Sequence, residues 1–368
     1  MRGFEQVLFS WQSRQLDNLS QRVQVAKMFA LSKLYYVAQV LPLPGEHKRK
    51  VESLLSKFIF RGRHERLKLS ELENTSEKGG LGLPNLSVKA DALLMKQLCR
   101  ILSLPDENSY RLAGYWMGSF LKNTGLGEDF PHLAEVGPVS HTMSRIYPLH
   151  QHMLDTLLES VGRGEIKTTN VKTVTTKGIY KSRMSSLLSP PKVELKFPSI
   201  NFSEIVYRRM NHAVLETRQR DVMFAIIHGL YRNRDRLFQQ HRVDDPLCPN
   251  QACKNLNLIQ TVEHIACTCF RVKTSWLWVR EKVMELLGDQ EPAPALNNTQ
   301  LIMLMYPRSM REVEVAFLIG TYMDLVDQEV VIKQKELMVG TVKGVLRAKV
   351  GSLTSRAVPE IYFPPGWL

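Results

Sequence analysis

A mainly α-helical chain with a small thiol-rich segment set between helices is what this sequence predicts, and three observations predict it. Apolar residues recur every three to four positions over long stretches, above all in Leu19–Leu41. Proline and glycine clusters separate those stretches more often than they interrupt them. Four of the five cysteines are gathered in Leu247–Trp276. The expected order is an N-terminal helical bundle over residues 1–104 and an irregular connector over 105–200. A small knuckle-bearing helical domain over 201–290 follows, then C-terminal helices and a tail over 291–368.

The first long helix is Leu19–Leu41. Leu19, Val23, Ala26, Ala30, Leu34, Val37 and Leu41 share a narrow arc at a 3.6-residue period. Asn18 offers an N-cap with Gln21 three positions on, and Pro42 and Pro44 end the helix. A second stripe of Val25, Phe29, Tyr36 and Val40 makes it apolar over much of its girth, which predicts a place inside a bundle, with Lys27 and Lys33 reaching outward. Lys48–Phe60 is the next helix, running into a basic loop with Arg61, Arg63 and Arg66. Glu77–Leu86, with three glycines among leucines, predicts a tight turn; it lacks the Lys-Ser/Thr ending of a phosphate loop. Val88–Leu104 is helical, with Cys99 among its core positions. Gly162–Pro198, rich in Thr, Ser, Lys and Pro, reads as linker. Helix returns over Phe202–His241 and from Trp276 to Leu287, and Leu301–Val350 reads as two or three amphipathic helices.

The thiol-rich segment carries the chemistry. Cys248 and Cys253 are separated by four residues, His264 follows after ten more, and Cys269 after another four. A CxxxxC turn, a spacer and an HxxxxC arm supply the two pairs of ligands that a closed tetrahedral zinc site needs. Thiolate and imidazole suit Zn²⁺, and Pro249 and Asn250 are turn formers between the first pair. By spacing alone the fourth ligand is either Cys267 or Cys269. A loop of small buried thiols is the plainer reading of the same residues.

The chain carries 49 Lys+Arg against 36 Asp+Glu, a formal net charge of +13. The excess is uneven: 17 basic against 9 acidic over residues 1–100, 3 against 7 over 101–160, 16 against 8 over 161–250. Two basic blocks flanking an acidic one point to a polyanionic partner, RNA or DNA. Arg61, Arg63 and Arg66 in the first block, and Arg232, Arg234 and Arg236 in the second, are the candidate phosphate contacts. The apolar runs Met28–Leu43 and Val315–Val326 are broken by Lys33 and Asp324, so no membrane span is expected. The absence of a signal-like N-terminal run predicts an intracellular protein, nuclear or cytoplasmic.

These residues resemble a known family. WQSR (Trp11–Arg14), LSQRV (Leu19–Val23), Ala26–Lys27, LSKL (Leu31–Leu34), Tyr36 and LPLP (Leu41–Pro44) are similar to the thumb that follows the palm in LINE-type (non-LTR) retrotransposon reverse transcriptases. FIFRG (Phe58–Gly62) and EKGGLGLPNL (Glu77–Leu86) continue the similarity in the same order. Arg220–Asp221, HGL (His228–Leu230), RDRL (Arg234–Leu237), PLCP (Pro246–Pro249), Glu263–His264, Cys269 and Trp276 resemble the zinc-binding domain near the end of such reading frames. The resemblance favours Cys269 over Cys267 as the fourth ligand. It implies a thumb that tracks a template–primer duplex and a structural zinc domain that helps to hold RNA or target DNA.

Two departures matter. Many relatives use CxxC where this chain has CxxxxC. The Tyr/Phe-x-Asp-Asp turn that holds two catalytic metal ions is absent; Asp244–Asp245 follows Arg242–Val243 and reads as a turn before Pro246. The resemblance therefore covers thumb, connector, zinc domain and terminal helices without the palm, and predicts no polymerisation by this chain alone. A zinc-stabilised interaction scaffold, or an unselected element remnant, is the alternative, and a free-standing zinc enzyme is disfavoured because four strong ligands close the site.

Overall fold

The computed structural model describes residues 2–12, 14, 16, 18–61, 67–103, 108, 111–112, 148–164, 173–187, 204–288, 296–306, 309–354, 361, 363 and 367. The fold is mainly helical, as expected. In chain order the helices are α1 (Arg2–Gln12), α2 (Leu19–Val25), α3 (Ser32–Ala38), α4 (Gly45–Ile59), α5 (Leu69–Glu73), α6 (Leu86–Leu102), α7 (Pro148–Gly162) and α8 (Thr176–Leu187). Then come α9 (Glu204–Met210), α10 (Thr217–Ile227), α11 (Arg234–Gln239), α12 (Gln251–Lys254), α13 (Lys273–Leu287), α14 (Asn298–Ile302), α15 (Glu312–Leu325) and α16 (Val339–Thr354). Among the described residues the only β pairing is one antiparallel bridge, Leu247 with Ile259. No described helix is long and apolar enough to cross a membrane.

The chain forms two compact units. The first comprises Met1–Asp17, Gln21–Arg63 and Leu83–Ser189. Its core gathers Ala92, Met95, Leu98 and Cys99 of α6 with Leu154 and Leu157 of α7 and Ile179 of α8. Burial pushes the Cys99 thiol up to about 11, so it behaves as a small apolar side chain. The stretch expected as linker thus contains the helix α8. Its inward face carries Arg183, whose guanidinium donates to Ser160 Oγ at 2.7 Å and lies 3.5 Å from Asp91 and 3.4 Å from Glu159. A charged residue in the stripe hid the helical period.

The long N-terminal helix also departs from expectation. Between α2 and α3 it widens into a π-helical turn, Ala26–Leu31. One extra residue in a turn rotates everything downstream by about 100°. Val23, Ala26 and Ala30 are buried as the 3.6 period demands, but Leu31 at the end of the turn and Ala38 beyond it are buried while Val37 and Leu41 are exposed. Phe29, Tyr36 and Val40 of the second stripe also face solvent, so the helix lies against its neighbours along one side only.

The second unit comprises Asn18–Ser20, His64–Gly82 and Pro190–Leu368. Helix α15 is its axis: every residue from Val315 to Leu325 is buried, and α10 and α13 pack on it. The expected long helix over Phe202–His241 is three pieces, α9, α10 and α11, because Gly229 at φ 64° ends α10 and the Asn233 side chain caps the start of α11. Residues from the 201–290 and 291–368 stretches share this one core. Buried Arg209 of α9 donates to Glu312 and to the carbonyls of Leu304 and Tyr306, and stacks on the Tyr306 ring at 3.8 Å. The glycine-rich turn is required here: Gly79 has φ 76°, and a Cβ on it would lie 2.6 Å from the Tyr207 ring.

Candidate metal centre

Three local structures bring the sulfur and nitrogen donors together. The first is a hairpin. Cys248 N–H donates to Leu258 O at 2.9 Å and Gln260 N–H to Pro246 O at 2.8 Å, so the chain doubles back around Cys248. Asp245 Oδ1 accepts from Leu247 N–H and from the Arg234 guanidinium, which fixes the hairpin's entry. The Asp244–Asp245 pair is thus a turn, as its sequence suggests. The second is α12, opened by the Asn250 side chain, which accepts from Ala252 N–H; it carries Cys253.

The third is another π-helical turn, His264–Thr268, preceded by Thr261, whose hydroxyl accepts from His264 N–H. Cys269 N–H donates to His264 O at 2.8 Å, five residues back. This wider turn places residue i+5 over residue i, which an α-turn does not. It therefore stacks Cys269 on His264, and Cys267, two residues earlier, is rotated out of the cluster into the core. The fourth donor is Cys269.

Cys248, Cys253, His264 and Cys269 are all buried, and one donor atom from each lies within 4.8 Å of the others. The Cys269 sulfur stands 3.9 Å from that of Cys248 and 3.7 Å from that of Cys253. A tetrahedral ion bonded to sulfur at about 2.3 Å holds its sulfurs about 3.8 Å apart. Disulfide bonding demands about 2.05 Å, and all the cysteines are free. His264 Nε2 is buried without a hydrogen-bond partner, while Nδ1 meets the Thr268 hydroxyl at 3.1 Å. That pairing orients the ring with Nε2 as the available donor. Sequence reasoning missed Thr268; the signal was present, since His264 and Thr268 are four residues apart on one turn. These four residues can hold a metal ion.

The electrostatics agree with that reading. The Cys248 thiol is driven down to about 4, first by the hydrogen bond with Cys269 and, against burial, by the His264 imidazole and the Asn250 amide. Cys253 is pushed up by burial, and Cys269 by its bond with Cys248 and then by burial. One thiolate is favoured, and further negative charge is resisted by the sulfurs already present. A cation removes that resistance. Cys267 is raised by burial. The amides of Phe270 and Arg271 lie against the Cys253 and Cys269 sulfurs, favouring their thiolates. Tyr322 of α15 donates its hydroxyl to Ala266 O at 2.5 Å, tying the turn to the core.

The candidate phosphate contacts are placed less uniformly. Arg61 is exposed and donates to Leu16 O. Arg63 and Arg66 lie outside the described residues. Arg232 is exposed, Arg236 is partly buried, and Arg234 is partly buried and paired with Asp245 at 3.0 Å. Glu263 accepts from the Thr299 hydroxyl and is not among the four donors. Compared with protein-family models and with curated proteins, the chain matches none.

Proposed function

We propose that this chain is a zinc-stabilised, nucleic-acid-binding portion of a LINE-type reverse transcriptase, corresponding to its thumb and zinc-binding domain. It holds RNA or DNA and leaves nucleotide transfer to a palm with its own carboxylates. The observation that carries the reading is the buried quartet Cys248, Cys253, His264 and Cys269, in the order of that domain and with its four residues between the histidine and the last cysteine. Three thiolates and one imidazole with sulfurs near 3.8 Å apart suit Zn²⁺ in a closed structural site. Such an ion cross-links the hairpin to the turn before α13 and offers no open position to a substrate. The formal charge of +13 supports a polyanionic partner, held through Lys/Arg contacts that release counterions.

Elemental analysis of the purified chain is expected to return about one zinc per molecule. Less than a tenth of an equivalent overturns the zinc assignment. A filter-binding titration with RNA and DNA is expected to show tight binding at low salt that weakens steeply at high salt, with little sequence preference. No retention of either nucleic acid in low salt overturns the binding assignment.

A further inference from the structure

In the first unit an aromatic and basic platform lies along the seam of α1 and the long helix formed by α2, its π-turn and α3. The two run antiparallel: Gly3 lies against the Lys33 stem, and at the other end the Trp11 ring stacks on Phe29 with centroids 5.0 Å apart at 27°. The Arg14 guanidinium sits 4.4 Å from the Trp11 ring centre. Phe29, Lys33, Tyr36 and Val40 recur at helical spacing on one side, with Tyr36 79% exposed and Met28 beside them at 65%. Met28 and Phe29 lie within the π-turn, and Lys33, Tyr36 and Val40 follow it, where an unbroken 3.6 period would have set them at a different angle. A concentration of aromatic and apolar groups of this kind on a surface marks an interaction site.

The charges say which occupant fits. Residues 1–61 carry ten Lys/Arg against four Asp/Glu, and Leu19–Leu41 contains Arg22, Lys27 and Lys33 with no acidic residue. Among the described residues no carboxylate pairs with Arg14, Lys27 or Lys33. A second copy of the chain is a poor occupant, because a two-fold contact sets each patch, and its unpaired cations, against itself. Aromatic rings interleaved with unpaired cations match a polyanion that also offers flat apolar faces. In a duplex those faces are already stacked on one another; in a single strand they are free to stack on side chains.

We infer that Phe29, backed by the Trp11 ring, and Tyr36, flanked by Arg14 and Lys33, form a stacking platform for unpaired bases of single-stranded nucleic acid. This rests on the nucleic-acid reading above and goes beyond it, since the thumb resemblance implies contact with a duplex. Bases stack on Phe29 and Tyr36, and the cations meet the phosphates between them. Lys27, half-buried with its pKa lowered by burial, stands at the border of the face.

The test uses the full chain and fluorescence anisotropy with two labelled DNAs, an oligothymidylate of about 20 nucleotides and a hairpin duplex of equal charge. The double variant Phe29→Ala/Tyr36→Ala is expected to lose about tenfold or more in affinity for the single strand and less than about twofold for the duplex. Tyr36→Trp is expected to keep single-strand affinity and show quenched indole fluorescence on binding. Circular dichroism checks that the variants keep their helices. A double variant that binds oligothymidylate as the unsubstituted chain does overturns the platform while leaving the broader reading intact. Binding to neither DNA at low salt overturns both. Sedimentation with phosphatidylserine vesicles that is lost in the double variant, with oligothymidylate binding unchanged, assigns the face to lipid and overturns the inference.

Discussion

The segment from Pro246 to Val272 and the helix α15 lie in the same unit, yet they are held by opposite means. Helix α15 is buried on all sides from Val315 to Leu325, and apolar packing accounts for its place. The segment exposes Leu256, Ile259 and Phe270 and gathers four donors that resist carrying charge together. The difference teaches where a cation is required: in a segment too short and too polar to bury a core, a cross-link replaces hydrophobic area. The predictions below break or sharpen that contrast.

Removal of the metal with a chelator, or His264→Ala, has the largest expected effect. Structural zinc in small domains contributes on the order of 10 kcal/mol or more. Hydrogen exchange is expected to lose protection over the hairpin and the start of α13, while amides of α6, α7 and α8 keep theirs. Uniform loss across both units would show that the cation is not a local device.

The pH dependence of the apolar part comes next. His228 is buried against the Phe224 ring, with centroids 4.1 Å apart, and both its nitrogens lack side-chain partners, so burial pulls its pKa down to about 4. Below its ordinary value of 6.5 the unfolded chain takes up a proton that the folded chain refuses. Stability is therefore complete above pH 6.5 and falls as pH drops toward 4, by about 3 kcal/mol in all. Denaturant midpoints at pH 7.5 and 5 should differ less in His228→Phe than in the unsubstituted chain, metal content being held equal.

Tyr322→Phe tests the tether between the two regions. It leaves Ala266 O buried without its donor and should cost about 1–3 kcal/mol, read by thermal melting, with zinc content unchanged. Cys267→Ala should have the smallest effect, about 1 kcal/mol from a small cavity, and leave the metal stoichiometry at its original value. A drop in bound metal would mean that Cys267, not Cys269, completes the set.

Much of this was legible in the sequence. The helices α4, α6 and α13 fall close to where the sequence reading places them, at Lys48–Phe60, Val88–Leu104 and Trp276–Leu287. The donor quartet was legible as a set of residue types, and spacing left Cys267 and Cys269 open because a 3.6-residue rule gives no reason for a turn of five. What the sequence hid has two physical causes. An inserted residue in a helix leaves composition unchanged while rotating every later side chain, which is why Val37 and Leu41 were expected in the core. A buried, paired arginine breaks the apolar pattern that reveals a helix, which is why α8 read as linker. Basic side chains such as Arg234, spent on an internal pair, look the same in sequence as ones that face solvent.

The turn from His264 to Cys269 works as a ruler. Its length is fixed by one backbone bond between its ends, whereas Asn255, Leu256 and Asn257 are exposed and carry none of the four donors. Extra residues should therefore be absorbed there with little harm, and a single deletion before Cys269 should be ruinous. Descendants or engineered versions of this chain are expected to vary in size at those three residues and to hold the interval from His264 to Cys269 constant.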